Sequence, residues 1–279
     1  MFAVAVKLVA LDIDGTVIPP AGYGQVRLPG ERLTAAVREC LDAGIQVVLA
    51  SGRMFPGTAQ IARHFGLTGP LICQQGCSVH LLDGRITHEF PVSEKTALDV
   101  IGFAREANYA YEWFNPLRYI ASKQSITTDH YGVVSGIQPE YRPDPENSGI
   151  APTGVGIISS SAEANRIHQE LSRRHAHELH ILDFPEVTVA VSLDANKGHA
   201  LSLVCEDFGI ARDEVIAVGD SVNDASMLAW AGRGIAMAHA DSYALDASDE
   251  VLPGEPDVLE QLLERLAAGS SLARRAGGR

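Results

Sequence analysis

The chain has 279 residues, 46% of them hydrophobic and 20% charged, with a formal net charge of −13. That length can bury a large core, as one large domain or two smaller ones. The acidic balance, without a basic patch, argues against nucleic acid or an anionic membrane surface as partner, and no stretch approaches the roughly 20 apolar residues needed to cross a bilayer.

The opening "MFAVAVKLVALDIDG" has no basic leader and no convincing cleavage site, and its apolar run leads directly into two aspartates. It reads as a first strand rather than a signal peptide, which implies a cytoplasmic protein. In chain order the pattern then predicts a helix over 29–44, a strand over 45–51, a helix over 57–66 and a strand over 70–75. Pro29 lies near the start of the first helix and Gly44 at its end. The strands are continuously apolar, as in a parallel sheet covered on both faces. "HLLDGRITHEF" predicts a hairpin turning at Asp83-Gly84.

The texture changes from about residue 91. A helix over 93–108 precedes two strands around Asn115-Pro116 and a Pro- and Gly-rich irregular stretch over 136–154. A strand, a helix and a strand follow over 155–184. Both tryptophans lie outside the N-terminal α/β part, and most tyrosines fall in this middle region, which reads as an inserted α+β module. The α/β texture returns near residue 195, with a helix over 197–209, a strand over 213–220, a helix over 224–232 and a strand over 234–240. The expected organisation is an α/β core over 1–82 and 191–266, a cap inserted over 83–190, and a disordered tail over 267–279.

Four polar clusters end strands or open helices: Asp12-Ile13-Asp14-Gly15-Thr16, Ser51-Gly52-Arg53, Lys197-Gly198 and Gly219-Asp220-Ser221-Val222-Asn223-Asp224. Ligands of open α/β sheets bind beyond the carboxyl ends of the strands, so a parallel sheet brings all four clusters to one edge. Several carboxylates with one lysine suggest a magnesium and phosphate site. Mg²⁺ takes hard oxygen ligands, and its charge offsets the repulsion between clustered acids. Aspartate is also an established covalent nucleophile in phosphoryl transfer.

"DIDGT", "SGR", "KG" and "GDSVND", in that order, resemble the four motifs of the haloacid dehalogenase superfamily phosphatases. The resemblance spans nearly all of residues 7–240. The insert between the second and third motifs is similar to that of the large-cap, Cof-like subclass (type IIB), which implies a three-layer Rossmann-like α/β core with a mainly parallel sheet plus an inserted α+β cap. It implies a Mg²⁺-dependent hydrolase that cleaves small phosphomonoesters through an aspartyl-phosphate. Asp12 would attack and ligate the metal. Asp14 would move protons while its carbonyl ligates the metal, Asp220 would be the third protein ligand, and Asp224 would stand behind them. Ser51, Gly52, Lys197 and Asn223 would hold the phosphoryl oxygens, with Gly15 and Thr16 shaping the loop around them. The chain departs from many relatives at Gln75-Gly76-Cys77, where Asn-Gly-Ala is usual, and in the stretch before Lys197.

The expected partner is a small phosphorylated metabolite, a sugar phosphate by default and phosphoglycolate or a similar small acid after it. Neither nucleic acid nor membrane is expected, and the protein would be a monomer or homodimer. Two alternatives are a phosphomutase of the phosphomannomutase type and a non-catalytic phosphate-binding regulator. Intact Asp12, Asp14, Lys197 and Asp220 speak against the regulator. His175, His177 and His180 lack a metalloprotease spacing and read as solvated surface. "GVG" at 154–156 lies in a strand without a third glycine, which excludes a dinucleotide fingerprint. Trp113, Phe114, Tyr119 and Tyr131 read as module core, with Arg118 and His130 as candidates for a substrate's non-phosphate end. Cys40, Cys73, Cys77 and Cys205 read as small buried residues.

Overall fold

A computed structural model describes residues 5–20 and 27–277, the last five as backbone only. The first part of the chain forms β1 (Leu8–Leu11), α1 (Glu31–Asp42), β2 (Gln46–Ala50), α2 (Phe55–Phe65), β3 (Leu71–Cys73), β4 (Ser78–His80) and β5 (Ile86–Glu89). The middle supplies α3 (Glu94–Glu106), β6 (Ala110–Phe114), β7 (Tyr119–Ala121), α4 (Ile126–Ser135), β8 (Glu140–Tyr141), β9 (Gly154–Ile158), α5 (Ser161–His175), β10 (Leu179–Asp183) and β11 (Val187–Ser192). The last part contributes α6 (Lys197–Phe208), β12 (Val215–Gly219), α7 (Ala225–Trp230), β13 (Arg233–Ala236), α8 (Ser242–Ala247), β14 (Glu250–Val251) and α9 (Val258–Gly277).

These strands form two sheets. The first has eight strands in the order β14-β13-β12-β1-β2-β3-β4-β5, parallel from β14 to β3 and antiparallel beyond. Its continuous apolar runs are explained by two covered faces. In β1, Val9 and Leu11 face one core with residues of α1, α2 and α9, while Leu8 and Ala10 face another with α6, α7 and α8. β2 alternates likewise, with Val47 and Leu49 on one side and Val48 and Ala50 on the other. The result is the expected three-layer Rossmann-like α/β core. In α1, Leu33, Ala36, Val37 and Cys40 are buried at helical spacing, and the helix packs on α9 through Leu259, Leu262, Leu263 and Leu266.

Chain order makes β1 the pivot. The chain leaves it for β2 and β3 on one side and returns to β12 and β13 on the other. Such a reversal opens a crevice at the carboxyl end of the central strand, where Asp12 follows β1 directly.

The second sheet has the order β10-β11-β9-β6-β7-β8. One face packs on α3 and α5 around Trp113, Val155 and Ile157. The other carries Phe114, Tyr119, Leu182 and Val189, which cluster with Met54, Cys77 and Val222 of the first unit. That face therefore lies over the crevice. On the same side Tyr131 of α4 donates to the Gly52 carbonyl (3.1 Å), and the Met54 amide donates to Ser135 Oγ (3.1 Å).

Several boundaries differ from the sequence reading. The limit expected at residue 83 falls inside the β4–β5 hairpin, both of whose strands pair in the first sheet, and the limit at 190 falls inside β11 of the second. A hairpin's alternation gives no sign of which sheet it will join. The tail expected to be disordered from 267 instead continues α9 to Gly277, with Ala267 buried and Ser270 Oγ donating to the Ala43 carbonyl (3.2 Å). Packing on α1 holds a segment whose composition alone suggests disorder; residues 278–279 lie outside the described part. α4 is an addition to the sequence reading, started by a reciprocal Ser125–Thr128 cap rather than by an apolar stripe.

Candidate active site

The Asp12 amide donates to the Val218 carbonyl (3.0 Å), extending the β1–β12 ladder one residue past β1, and the Ser51 amide donates to Ile72 (2.9 Å) past β2. The ladder thus carries the first two motifs to the same edge. Lys197 opens α6 and is fully buried, its Nζ 2.6 Å from Asp12 Oδ1 and 2.6 Å from Asp224 Oδ1. Asp224 Oδ2 accepts from the amides of Asp220 (2.9 Å) and Ser221 (3.0 Å). Both oxygens of Asp224 are therefore occupied in joining the lysine to the loop after β12.

Among the described residues two fully buried carboxylate oxygens lack a hydrogen-bond partner, Asp12 Oδ2 and Asp220 Oδ1. One ligand atom from each of Asp12, Asp220 and Asp224 lies within 4.8 Å of the others. A cluster of three carboxylates, two of them with an orphaned oxygen, suits a divalent cation, because burial without a counter-charge is costly. Among the described residues this is the one such grouping of His, Cys, Asp and Glu, and His175, His177 and His180 form none.

Gly15 has φ +99°, and a Cβ there would stand 2.1 Å from Asp220 Oδ2. Only glycine lets this turn pass so close to that carboxylate.

Asp14 projects from the edge, its side chain half exposed. Buried Arg53 forks it, with Nε 2.8 Å from Oδ2 and Nη2 2.5 Å from Oδ1. The Arg53 amide donates to Ser51 Oγ (3.1 Å). Asn223 Nδ2 donates to Gln75 Oε1, and Asn223 Oδ1 accepts from Ser221 Oγ (2.8 Å). Gln74 and Gln75 adopt positive φ, 49° and 65°, in the turn after β3. The departure at Gln75 is thus a longer amide side chain reaching Asn223.

Burial, then the neighbouring Asp224, pushes the Asp12 carboxyl well above the usual carboxylate range, against the pull of Lys197. Burial and Asp224 likewise push Asp220 up to about 7. Burial alone would lower Lys197, but Asp12 and Asp224 more than offset it and hold the ammonium above its ordinary range. The cluster is short of positive charge.

Over the edge lies a cavity of about 620 Å³ between the two sheets. Asp12, Asp14, Gly15, Gly52, Asp220 and Asn223 line it from the core; Ser51, Thr16, Lys197 and Asp224 stand behind that lining. Phe114, Tyr131 and His130 line it from the cap, whereas Trp113 and Tyr119 belong to the cap's packing, as expected. Arg118 is absent from the lining and forks Glu140 (2.6 and 2.6 Å). All four cysteines are buried and free.

Sequence reasoning gave no role to Arg53, although it stands inside the quoted "SGR". It also passed over Glu112, Phe184 and His239, whose Nε2 is 3.6 Å from Asp220 Oδ2. No motif surrounds these three, so only the fold brings them in.

Residues 9–257 match the family model of the haloacid dehalogenase-like hydrolases. The chain is 27% identical to the phosphatase YwpJ of Bacillus subtilis over 276 residues, covering 88% of this chain and 94% of that protein. It is 29% identical to a phosphoglycolate phosphatase of Halorubrum lacusprofundi over 244 residues, covering 87% and 89%. The subclass IIB sugar phosphatase BT4131 superposes with a TM-score of 0.77 at 16% identity, covering 95% of this chain and 100% of that one.

Proposed function

The chain belongs to the haloacid dehalogenase-like hydrolase family, as a Cof-like enzyme acting on phosphoric monoesters, and from that premise we propose a Mg²⁺-dependent, aspartyl-phosphate mechanism. The observation that carries this reading is the pair of orphaned oxygens, Asp12 Oδ2 and Asp220 Oδ1, beside Asp14 at the pivot of the sheet. Asp12 Oδ2 is the nucleophile. It bonds to phosphorus as the ester P–O bond breaks, and the leaving oxygen takes a proton from the Asp14 carboxyl. Asp14, now a carboxylate, takes a proton from water, whose oxygen attacks phosphorus. Inorganic phosphate leaves, and the Asp12 carboxylate returns.

Lys197 fixes the other Asp12 oxygen, so the free one is presented to the substrate. Arg53 aims Asp14, and Gly52 and Asn223, with Ser51 and Thr16 behind, surround the phosphoryl oxygens. Mg²⁺ would be held by Asp12, Asp220 and the Asp14 carbonyl, supplying positive charge to the transferring group. The cap excludes bulk water from the cavity.

A small phosphorylated metabolite, handled in the cytoplasm by a monomer or homodimer, fits the cavity's size. Among the described residues no helix is long and apolar enough to cross a membrane. Phosphate release from p-nitrophenyl phosphate and a panel of phosphorylated metabolites, with and without Mg²⁺, tests the reading. Substantial activity in Asp12→Asn would overturn it; transfer to a second sugar without phosphate release would point to a mutase.

A further inference from the structure

The cap side of the cavity is chemically unlike its core side. Glu112 lies mid-strand in β6, with Tyr111 and Trp113 on either side, and is only 5% exposed. Its Oε1 accepts from the Tyr119 hydroxyl. Its Oε2 has no hydrogen-bond partner among the described residues, yet Glu112 lines the cavity. Room for that oxygen comes from Gly156 on β9, where a Cβ would stand 2.5 Å from it. The surrounding wall is apolar and aromatic: Phe114, Tyr131, Phe184, Val187 and Val189. A second carboxylate, Glu186, accepts from Thr127 Oγ1 (3.0 Å). Among the described lining residues the cap contributes no lysine or arginine, and the core's Arg53 is committed to Asp14.

We propose that Glu112 selects the leaving group: a flat, largely apolar body that presents a cationic or N–H donor to Oε2 and carries no second anion. This rests on the phosphomonoester reading above, which places the phosphoryl group at Asp12. The carboxylate oxygen that Tyr119 leaves free opens to the cavity, and an ammonium or ring N–H can fill it with a charge-assisted bond while the aromatic wall takes the flat face. Burial pushes the Glu112 carboxyl up to about 7, only partly offset by Tyr119, so a cationic donor would also supply the counter-charge that the protein does not. A sugar would set some of its hydroxyls against Phe114, Phe184 and the valines, which offer them no partner. A carboxylate or second phosphate would meet Glu112 in a lining to which the cap brings no lysine or arginine.

Three matched probes separate these cases: benzyl phosphate, its 4-aminomethyl derivative and its 4-carboxy derivative. Calorimetric binding with Mg²⁺ to the Asp12→Asn protein reads recognition without turnover. The aminomethyl ester should bind at least about tenfold more tightly than benzyl phosphate, and the carboxy ester more weakly than either. Adding Glu112→Gln should bring the first ratio close to one. Gly156→Ala, which crowds the same oxygen without removing the charge, should lower that ratio too, and it serves where Glu112→Gln fails to fold. A ratio near one with Glu112 and Gly156 intact, or a tenfold ratio that survives Glu112→Gln, would overturn the proposal. Wild-type turnover of p-nitrophenyl phosphate is measured in parallel: its absence sinks the phosphatase reading, while the binding ratio still decides the role of Glu112.

Discussion

Two buried acid sites face one cavity, and they are neutralised differently. In the core, Asp12 and Asp224 share the ammonium of Lys197, and the orphaned oxygens of Asp12 and Asp220 face a place suited to a cation. In the cap, Glu112 has only a tyrosine hydroxyl and an aromatic wall. Asp220 and Glu112 are both pushed up to about 7, chiefly by burial, but the remedy differs. The core carries part of its counter-charge in its own chain and would take the rest from a metal, whereas the cap leaves it to the substrate. Chemistry common to every substrate belongs with permanent groups, and selection belongs where the protein is left unsatisfied.

That contrast can be broken at several points. The largest effect is expected from Asp12→Asn, which removes the proposed nucleophile and should lower kcat on the order of 10⁴-fold or more, read by phosphate release. Next, Lys197→Met leaves Asp12 and Asp224 buried together without their ammonium. Denaturant unfolding should show a loss of about 3–5 kcal/mol, since stripping one partner from a buried ion pair leaves uncompensated charge. Unchanged stability would mean that the lysine is not the counter-charge of the core. Arg53→Lys keeps the charge but loses the fork on Asp14, and kcat should fall by up to about 10²-fold with little change in Mg²⁺ affinity.

The smallest effect is a dependence on pH and metal. The folded value for Asp220, about 7, lies above its unfolded value, so the folded protein holds that proton more tightly. The stability this contributes is complete below about 4 and is lost as pH rises through about 7. Metal-free protein should therefore melt at a lower temperature at pH 8 than at pH 5 from this group. Mg²⁺ competes with the proton, so its stabilising increment should grow over the same interval, read as the difference in Tm with and without chelator. Glu112 has the same direction of shift and should be indifferent to Mg²⁺. A metal-dependent increment that vanished in Glu112→Gln would erase the distinction between the two regions.

Much of the core was legible before the fold. Asp12, Asp14, Lys197 and Asp220 stand in short motifs at strand ends and at a helix start, and the parallel ladder has no choice but to collect such ends at one edge. Arg53 was within reach of the same reading, since it completes "SGR" and its guanidinium comes from the same edge as Asp14. Glu112 was not, because a lone glutamate between Tyr111 and Trp113 has the pattern of any half-exposed strand residue. The helical tail shows the opposite limit. Its small and basic composition suggests disorder, yet Ala267 is buried in the core shared with α1 and Ser270 bonds to Ala43 just past that helix, more than 200 residues away in sequence.

By itself the sequence determined the strands, through runs of apolar residues that need two covered faces, and the candidate reactive groups, through acids and a lysine in short motifs at strand ends and a helix start. Only the tertiary structure decided which carboxylate oxygens are left without partners and which cap residues border the same cavity. Periodicity and motif are local properties of the chain. Burial, orphaned oxygens and the space left by Gly156 depend on segments brought together across two sheets.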